Sequence, residues 1–139
     1  VYSNKRTDGL TNEYMFERVI DQFTLDNFIV DSLTPNVNKT KFMGVCRYME
    51  GYPCRRIDIR FVDKERLAFA MLYFTGSGDF NVKMRSFALK KGITINEYSI
   101  KNKKTEEEAT GIKTERDIFK FLGLDYVPPE KRVPEYTFS

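Results

Sequence analysis

Arg55-Arg56-Ile57-Asp58-Ile59-Arg60-Phe61 is the stretch from which the rest of the chain is read. Alternation at a period of two puts Ile57, Ile59 and Phe61 on one face of a strand. Arg56, Asp58 and Arg60 then project together from the other. A carboxylate flanked by guanidiniums on such a strand can be a solvated salt-bridge ladder. It can equally be a metal ligand or general base held on a rigid element beside phosphate-binding charge. On the strand alone the ladder is the simpler reading.

Working back from this strand, Gly51-Tyr52-Pro53 marks a turn, and Thr40 to Arg47 reads as the preceding strand. Gly44 inside it marks either a close backbone approach or a bulge. Phe28 to Leu33 reads as another strand, ended by Thr34-Pro35-Asn36. Met15, Phe16, Val19, Ile20 and Phe23 recur at helical spacing and predict an amphipathic helix from Thr11 or Asn12 to about Phe23. Lys5-Arg6-Thr7-Asp8-Gly9 reads as an exposed turn, and Val1 to Asn4 as the tail of a strand. A helix followed by a three-stranded antiparallel meander predicts an α+β lobe with the helix on one sheet face.

Working forward, Asp63-Lys64 closes that lobe. Glu65 to Phe74 is apolar on every side and predicts a buried helix, halted at Thr75-Gly76-Ser77-Gly78. A second helix runs from about Asp79 to Lys91, with Gly92 as its stop. Its apolar stripe is Phe80, Met84, Phe87 and Ala88, and Asn81 and Arg85 share a separate polar line. Ile93 to Ile100 reads as a strand and Lys101 to Thr110 as a charged loop, with Glu106 to Glu108 as solvated surface. Thr114-Glu115-Arg116-Asp117 resembles a capping box opening a helix that ends at Gly123. Pro128-Pro129 and Lys131-Arg132 end the fold, with a tail beyond.

The 139 residues hold one ordinary domain or two small lobes, and 41% hydrophobic against 31% charged residues is a globular balance. Twelve phenylalanines and eight tyrosines are enough to serve as stacking surfaces as well as core. The net charge of +3 permits a polyanion partner without demanding one. Histidine is absent, which excludes His-based triads, His-ligated zinc and imidazole acid–base chemistry within the chain. Cys46 and Cys54 cannot build a structural zinc site alone and read as two reduced thiols of an intracellular protein. No apolar run approaches the length of a membrane span, and no signal peptide is visible.

The corner between the two later helices, Tyr73-Phe74-Thr75-Gly76-Ser77, presents two rings, two hydroxyls and a glycine at one place. Asn81 and Arg85 lie one and two turns beyond. This suits a nucleotide, with a ring and backbone against a sugar and polar donors toward base edges. A helix–turn–helix corner carrying aromatic core residues is the simpler reading on those residues alone.

The strings in which these residues occur are more specific. Lys41-Phe42-Met43-Gly44-Val45-Cys46, Arg55-Arg56-Ile57-Asp58-Ile59-Arg60, Tyr73-Phe74-Thr75-Gly76-Ser77 and Phe80-Asn81 occur in order. Met84-Arg85, Thr94-Ile95-Asn96-Glu97-Tyr98 and Asp117-Ile118-Phe119 follow. Together they resemble the family X DNA polymerases of the beta and lambda kind, from about Lys39 to Arg132. The resemblance implies that residues 1–63 are the C-terminal part of a catalytic palm of nucleotidyltransferase fold. Residues 64–139 would be a small α+β thumb that closes on the nascent base pair. Asp58 matches the third of three catalytic carboxylates and would bind the catalytic Mg²⁺, one of two such ions that Mn²⁺ can replace. Arg56 matches a residue beside the primer terminus, and Arg60 one that pairs with an active-site carboxylate in the open state. Tyr73, Phe74, Thr75, Gly76 and Ser77 match the wall against the incoming sugar, with a cis Gly76–Ser77 bond.

Asn81 matches the minor-groove donor to the incoming base, Arg85 and Lys83 are DNA- or template-facing, and Glu97 and Tyr98 match supports of the closed form. The implied activity is addition of dNTPs to a primer 3′-hydroxyl on gapped or primer–template DNA in repair, including base excision repair. The implied protein is a monomer, nuclear in a eukaryote. Gly78 and Val82 depart from the pattern, standing where the family carries side chains that pack on bases. The larger departure is that the family's Gly-Ser phosphate-binding motif and the Asp-x-Asp pair, which supplies the other two carboxylates, are not in the chain. It begins with Val1 and reads as a fragment inactive by itself. A non-catalytic nucleotidyltransferase-like scaffold or DNA-binding module is the alternative. A generic basic nucleic-acid module, binding DNA without dependence on a paired dNTP, is a third reading.

Overall fold

The computed structural model describes the backbone of residues 2–3 and all of residues 11–34 and 40–139. The predicted turn at Lys5–Gly9 and the Pro35-Asn36 strand end lie outside the described residues. The chain divides into two compact units, residues 1–64 and 65–139.

In the first unit, β1 (Tyr2–Ser3) precedes α1 (Asn12–Leu25). Thr11 caps α1, its hydroxyl accepting from the Tyr14 amide, and Glu13 stands in the first turn where the helix dipole favours an acid. Asn27, with φ of 57°, ends it in the left-handed conformation that asparagine tolerates. Strands β2 (Ile29–Ser32), β3 (Lys41–Cys46) and β4 (Arg55–Arg60) form an antiparallel sheet in that order, so the predicted meander is present. β5 (Val62–Asp63) pairs in parallel with β1. Phe16 from α1 packs with Ile29, Phe42 and Phe61 as the buried core, and the Phe16 and Phe61 rings meet edge-on. A side chain at Gly44 would strike the Asp31 carbonyl and the Phe42 ring at 2.5 Å. The close-approach reading therefore holds, and the irregularity of register lies opposite, between Ile29 and Asp31 of β2.

The second unit begins in a 3₁₀ turn that leads into α2 (Leu67–Thr75), followed by α3 (Gly78–Lys90). Then come β6 (Ile93–Ile95), β7 (Ile100–Asn102), α4 (Glu115–Phe121) and a 3₁₀ turn at Pro129–Lys131. Among the described residues the core is larger here. Phe80, Ile100, Ile118, Phe119 and Leu122 are fully buried, joined by Ala68, Phe69, Leu72, Met84, Ala88 and Val127. The Thr114–Asp117 capping box is complete in both directions.

Four sequence expectations are corrected. Ile93–Ile100 is not one strand: the Asn96 side chain accepts from the Tyr98 and Ser99 amides and folds the segment into a hairpin turn. α2 is not buried all round, because Met71, Tyr73 and Phe74 reach solvent while Ala68, Phe69, Ala70 and Leu72 are buried. Glu108 is not merely solvated, since Arg66 and Lys101 both pair with it. The fold does not stop at Arg132: Arg132 is itself buried, and the Tyr136 and Phe138 rings stack on Phe80 at 5.5 and 5.0 Å.

Candidate functional site

β4 holds its charged residues on a frame with little freedom. Every residue from Arg55 to Arg60 is paired in register with β3, and Asp58 stands opposite Met43 near the middle. Ile57 and Ile59 pack toward the core with Phe61, so Arg56 and Asp58 are left on the open face. The Arg56 Nε donates to Asp58 Oδ1 at 2.9 Å, with both side chains at least half exposed. An arginine two residues away on the same strand face therefore orients the carboxylate. Arg60 is half-buried at the far end of the same face.

The α2–α3 corner gathers the second group. The Tyr73 and Phe74 rings meet edge-on with centroids 5.0 Å apart, and the Arg85 guanidinium lies 5.1 Å over the Tyr73 ring. The Asn81 amide nitrogen donates to the Tyr73 carbonyl at 2.8 Å. Tyr73, Asn81 and Arg85 share a small open depression with Phe69, Leu72, Met84, Ile95 and Asn96. Gly76, at φ 69°, turns the chain, and the Gly76–Ser77 bond is cis. The Ser77 hydroxyl accepts from the Phe80 amide and so starts α3. Gly78 faces open space and Val82 is exposed, so this part of α3 presents little side chain.

Lys83 points elsewhere: its ammonium donates to the carbonyls of Pro134 and Tyr136. Glu97 and Tyr98 sit in the β6–β7 turn. Arg66, at the start of α2, donates both to the Tyr98 carbonyl and to Glu108, each at 3.0 Å, and so anchors that turn. The Arg66 hydrogen bond, with the charges of Arg66 and Lys101, holds the Glu108 carboxyl below its usual range. Sequence reading missed this Arg66–Glu108 clasp and the buried Arg132–Glu115 pair at 2.7 Å. Their partners lie 42 and 17 residues apart, and no local pattern announces such pairings.

Mg²⁺ needs near-octahedral oxygen ligation. Among the described residues no three metal-ligating side chains cluster, and β4 brings one carboxylate. Asp58 suits one position in a magnesium shell, and the described residues do not complete that shell.

Residues 2–64 match the DNA polymerase beta palm, and residues 70–133 match the DNA polymerase beta thumb. DNA polymerase lambda of Rattus norvegicus is 34% identical over 90% of this chain and 24% of its own length. The DNA polymerase/3′-5′ exonuclease PolX of Bacillus subtilis is 38% identical over 55% of the chain and 13% of its own length. The DNA-directed DNA/RNA polymerase mu of Homo sapiens is 35% identical over 64% of the chain and 18% of its own length. The chain thus spans about a quarter or less of these curated relatives. With palm and thumb in this order, and relatives of this kind over both, the chain belongs to the family X DNA polymerases.

Proposed function

We propose that this chain supplies one catalytic carboxylate and the nucleotide-facing thumb of a DNA-directed DNA polymerase. The polymerase adds dNTPs to a primer 3′-hydroxyl and fills short gaps during repair. The observation that carries the reading is Asp58: an exposed carboxylate, held mid-strand and oriented by Arg56, on a palm of the polymerase kind. Asp58 would be this chain's ligand to Mg²⁺, or to Mn²⁺ in its place, and the ions supply charge neutralisation of the phosphates and a lowered pKa at the attacking hydroxyl. The role of Asp58 itself is to face the primer hydroxyl and favour loss of its proton. Arg56 keeps the carboxylate turned outward beside the primer end, and Arg60 completes the charged face.

On the thumb, the Tyr73–Phe74 pair and the Thr75–Ser77 backbone form the surface for the deoxyribose. Asn81 offers its amide to the minor-groove edge of the incoming base, and Arg85 reaches the template strand. Lys83 is tied to the C-terminal segment, so Arg85 is the principal template-facing cation of α3. Glu97 and Tyr98, on the turn that Arg66 anchors, support the closed state.

The test is single-nucleotide gap filling by the full-length protein that carries this chain. Asp58→Ala is expected to lower kcat by roughly 10²–10⁴-fold, the range of a lost acid–base group, with DNA affinity nearly unchanged. Incorporation unaffected by the substitution would defeat the reading and favour a DNA-binding scaffold. Equal loss of incorporation and DNA binding would point to damage of the sheet. The 139 residues alone, with one carboxylate on β4, are expected not to extend a primer.

A further inference from the structure

The Thr75–Ser77 turn is held by few hydrogen bonds, and one of them comes from far along the chain. The Ser77 amide donates to the Arg132 carbonyl at 3.0 Å. Two others run forward into α3, from the Phe80 amide to the Ser77 hydroxyl and from the Asn81 amide to the Ser77 carbonyl. Among the described residues, the bond to Arg132 is the one that restrains the turn from outside its own helix pair.

Arg132 is anchored well beyond what a loop carbonyl needs. Its side chain is fully buried. Nε donates to the Val127 carbonyl at 2.9 Å and Nη1 to Glu115 at 2.7 Å. The guanidinium lies 5.5 Å from the Phe119 ring and 5.6 Å from the Tyr126 ring. Nη2 is buried and has no hydrogen-bond partner among the described residues. Such a group is a poor way to gain stability, because a buried ion pair is often no better than an apolar replacement, and the orphaned donor adds a desolvation penalty. What a planar guanidinium supplies instead is direction: two fixed donors and two ring faces leave one orientation for residue 132 and its carbonyl.

We propose that Arg132 is a positioning residue for the sugar-facing turn. Through its carbonyl it fixes the Ser77 amide, and through that amide the distance at which the Thr75–Gly76 backbone meets the sugar of an incoming nucleotide. Discrimination between deoxyribose and ribose then depends on a residue that touches neither. The sugar-selectivity part of this inference rests on the polymerase function proposed above; the positioning part does not.

The experiment compares Arg132→Lys with Ile118→Val in the full-length protein, at a temperature where circular dichroism shows both folded. Lysine keeps the charge but has one point donor in place of the fork, whereas Ile118→Val trims the same buried core without touching the turn. Hydrogen exchange at the Ser77 amide is expected to be about three- to tenfold faster in Arg132→Lys than in Ile118→Val, the size of one net hydrogen bond. The ratio of kcat/KM for a dNTP to that for the matching rNTP is expected to fall by a similar factor in Arg132→Lys only. Equal Ser77 exchange in the two variants would overturn the proposal, and so would faster exchange with an unmoved sugar ratio. If the unsubstituted protein incorporates no nucleotide, the polymerase reading has failed, and the exchange comparison alone decides the positioning role. Should Arg132→Lys not fold, Glu115→Gln, which removes the charge and keeps the shape, takes its place in both measurements.

Discussion

Two regions of this molecule hold polar residues in opposite ways. On β4 of the palm unit, Arg56 and Asp58 stand in solvent on a strand whose other face covers four buried core residues. In the thumb unit, the Arg132 side chain is buried against the Phe119 and Tyr126 rings and donates to the Val127 carbonyl and to Glu115. An exposed ion pair adds little to stability, and a buried one offsets its desolvation cost only where its geometry is good and its remaining donors are satisfied. The exposed pair is thus open to reaction partners, and the buried pair serves shape. On the functions proposed above, the difference teaches that groups that meet a ligand and groups that hold the ligand surface in place need not look alike.

The largest effect that would break the comparison is on the cores themselves. Phe80→Ala removes a fully buried ring that contacts Phe119, Tyr136 and Phe138, and should destabilise the thumb unit by about 3–5 kcal/mol. Phe42→Ala should fall at the lower end of that range for the palm unit, whose core has fewer members among the described residues to leave unsupported. Urea unfolding followed separately in each unit checks both. Equal losses would mean that the smaller palm core is as tightly packed as the larger one. Next in size is Gly44→Ala, where the new methyl would lie 2.5 Å from the Asp31 carbonyl and the Phe42 ring. A cost of about 1–3 kcal/mol is expected, confined to the palm unit.

How much of this was legible beforehand follows from the range of the interactions. The β4 alternation, the α1 and α3 stripes and the Thr114 capping box are local patterns, and each is present as read. The hairpin at Asn96 was missed because Ile93 and Ile95 sit at strand spacing and Ile100 ends the same stretch, so the segment reads as one strand. The decisive signal was one side chain folding back on the amides two and three residues on. α2 misled for the opposite reason: its exposed rings look like core by composition, and only packing reveals which face is covered. Arg132 could not be identified at all. A basic residue after two prolines reads as the end of the fold until Glu115, Phe119 and Tyr126 are seen around it.

A smaller effect tests whether the thumb's exposed polar groups add stability where the palm's do not. Thr114→Ala should cost about 1 kcal/mol by removing the α4 cap. The Asp117 carboxyl is held below its ordinary value of 3.8, first by the Lys113 amide and then by the Thr114 hydroxyl and amide. A depressed folded-state pKa gives stability that is present above the unfolded value and lost as pH falls through the folded one. The difference between Thr114→Ala and the unsubstituted protein should therefore be full at neutral pH and shrink below about pH 4. Thermal unfolding at a series of pH values measures it. A difference independent of pH would mean that the hydroxyl acts on the helix amide alone.

The smallest stability effect belongs to Arg56, and it carries the sharpest argument. Arg56→Met keeps the apolar stem of the side chain and removes the exposed bond to Asp58, so stability should change by less than about 1 kcal/mol. If the pair is only a surface ladder, gap filling by the full-length protein should be as little affected as stability. If Arg56 orients the catalytic carboxylate, kcat should fall while Tm stays within a degree or two. A large drop in Tm would show instead that this pair stabilises the sheet, and the contrast between exposed and buried pairs would collapse. The outcome that fits β4 is the separation of the two readouts. A strand face with two charged side chains turned to water gives folding little reason to hold them at 2.9 Å, and gives chemistry a good one.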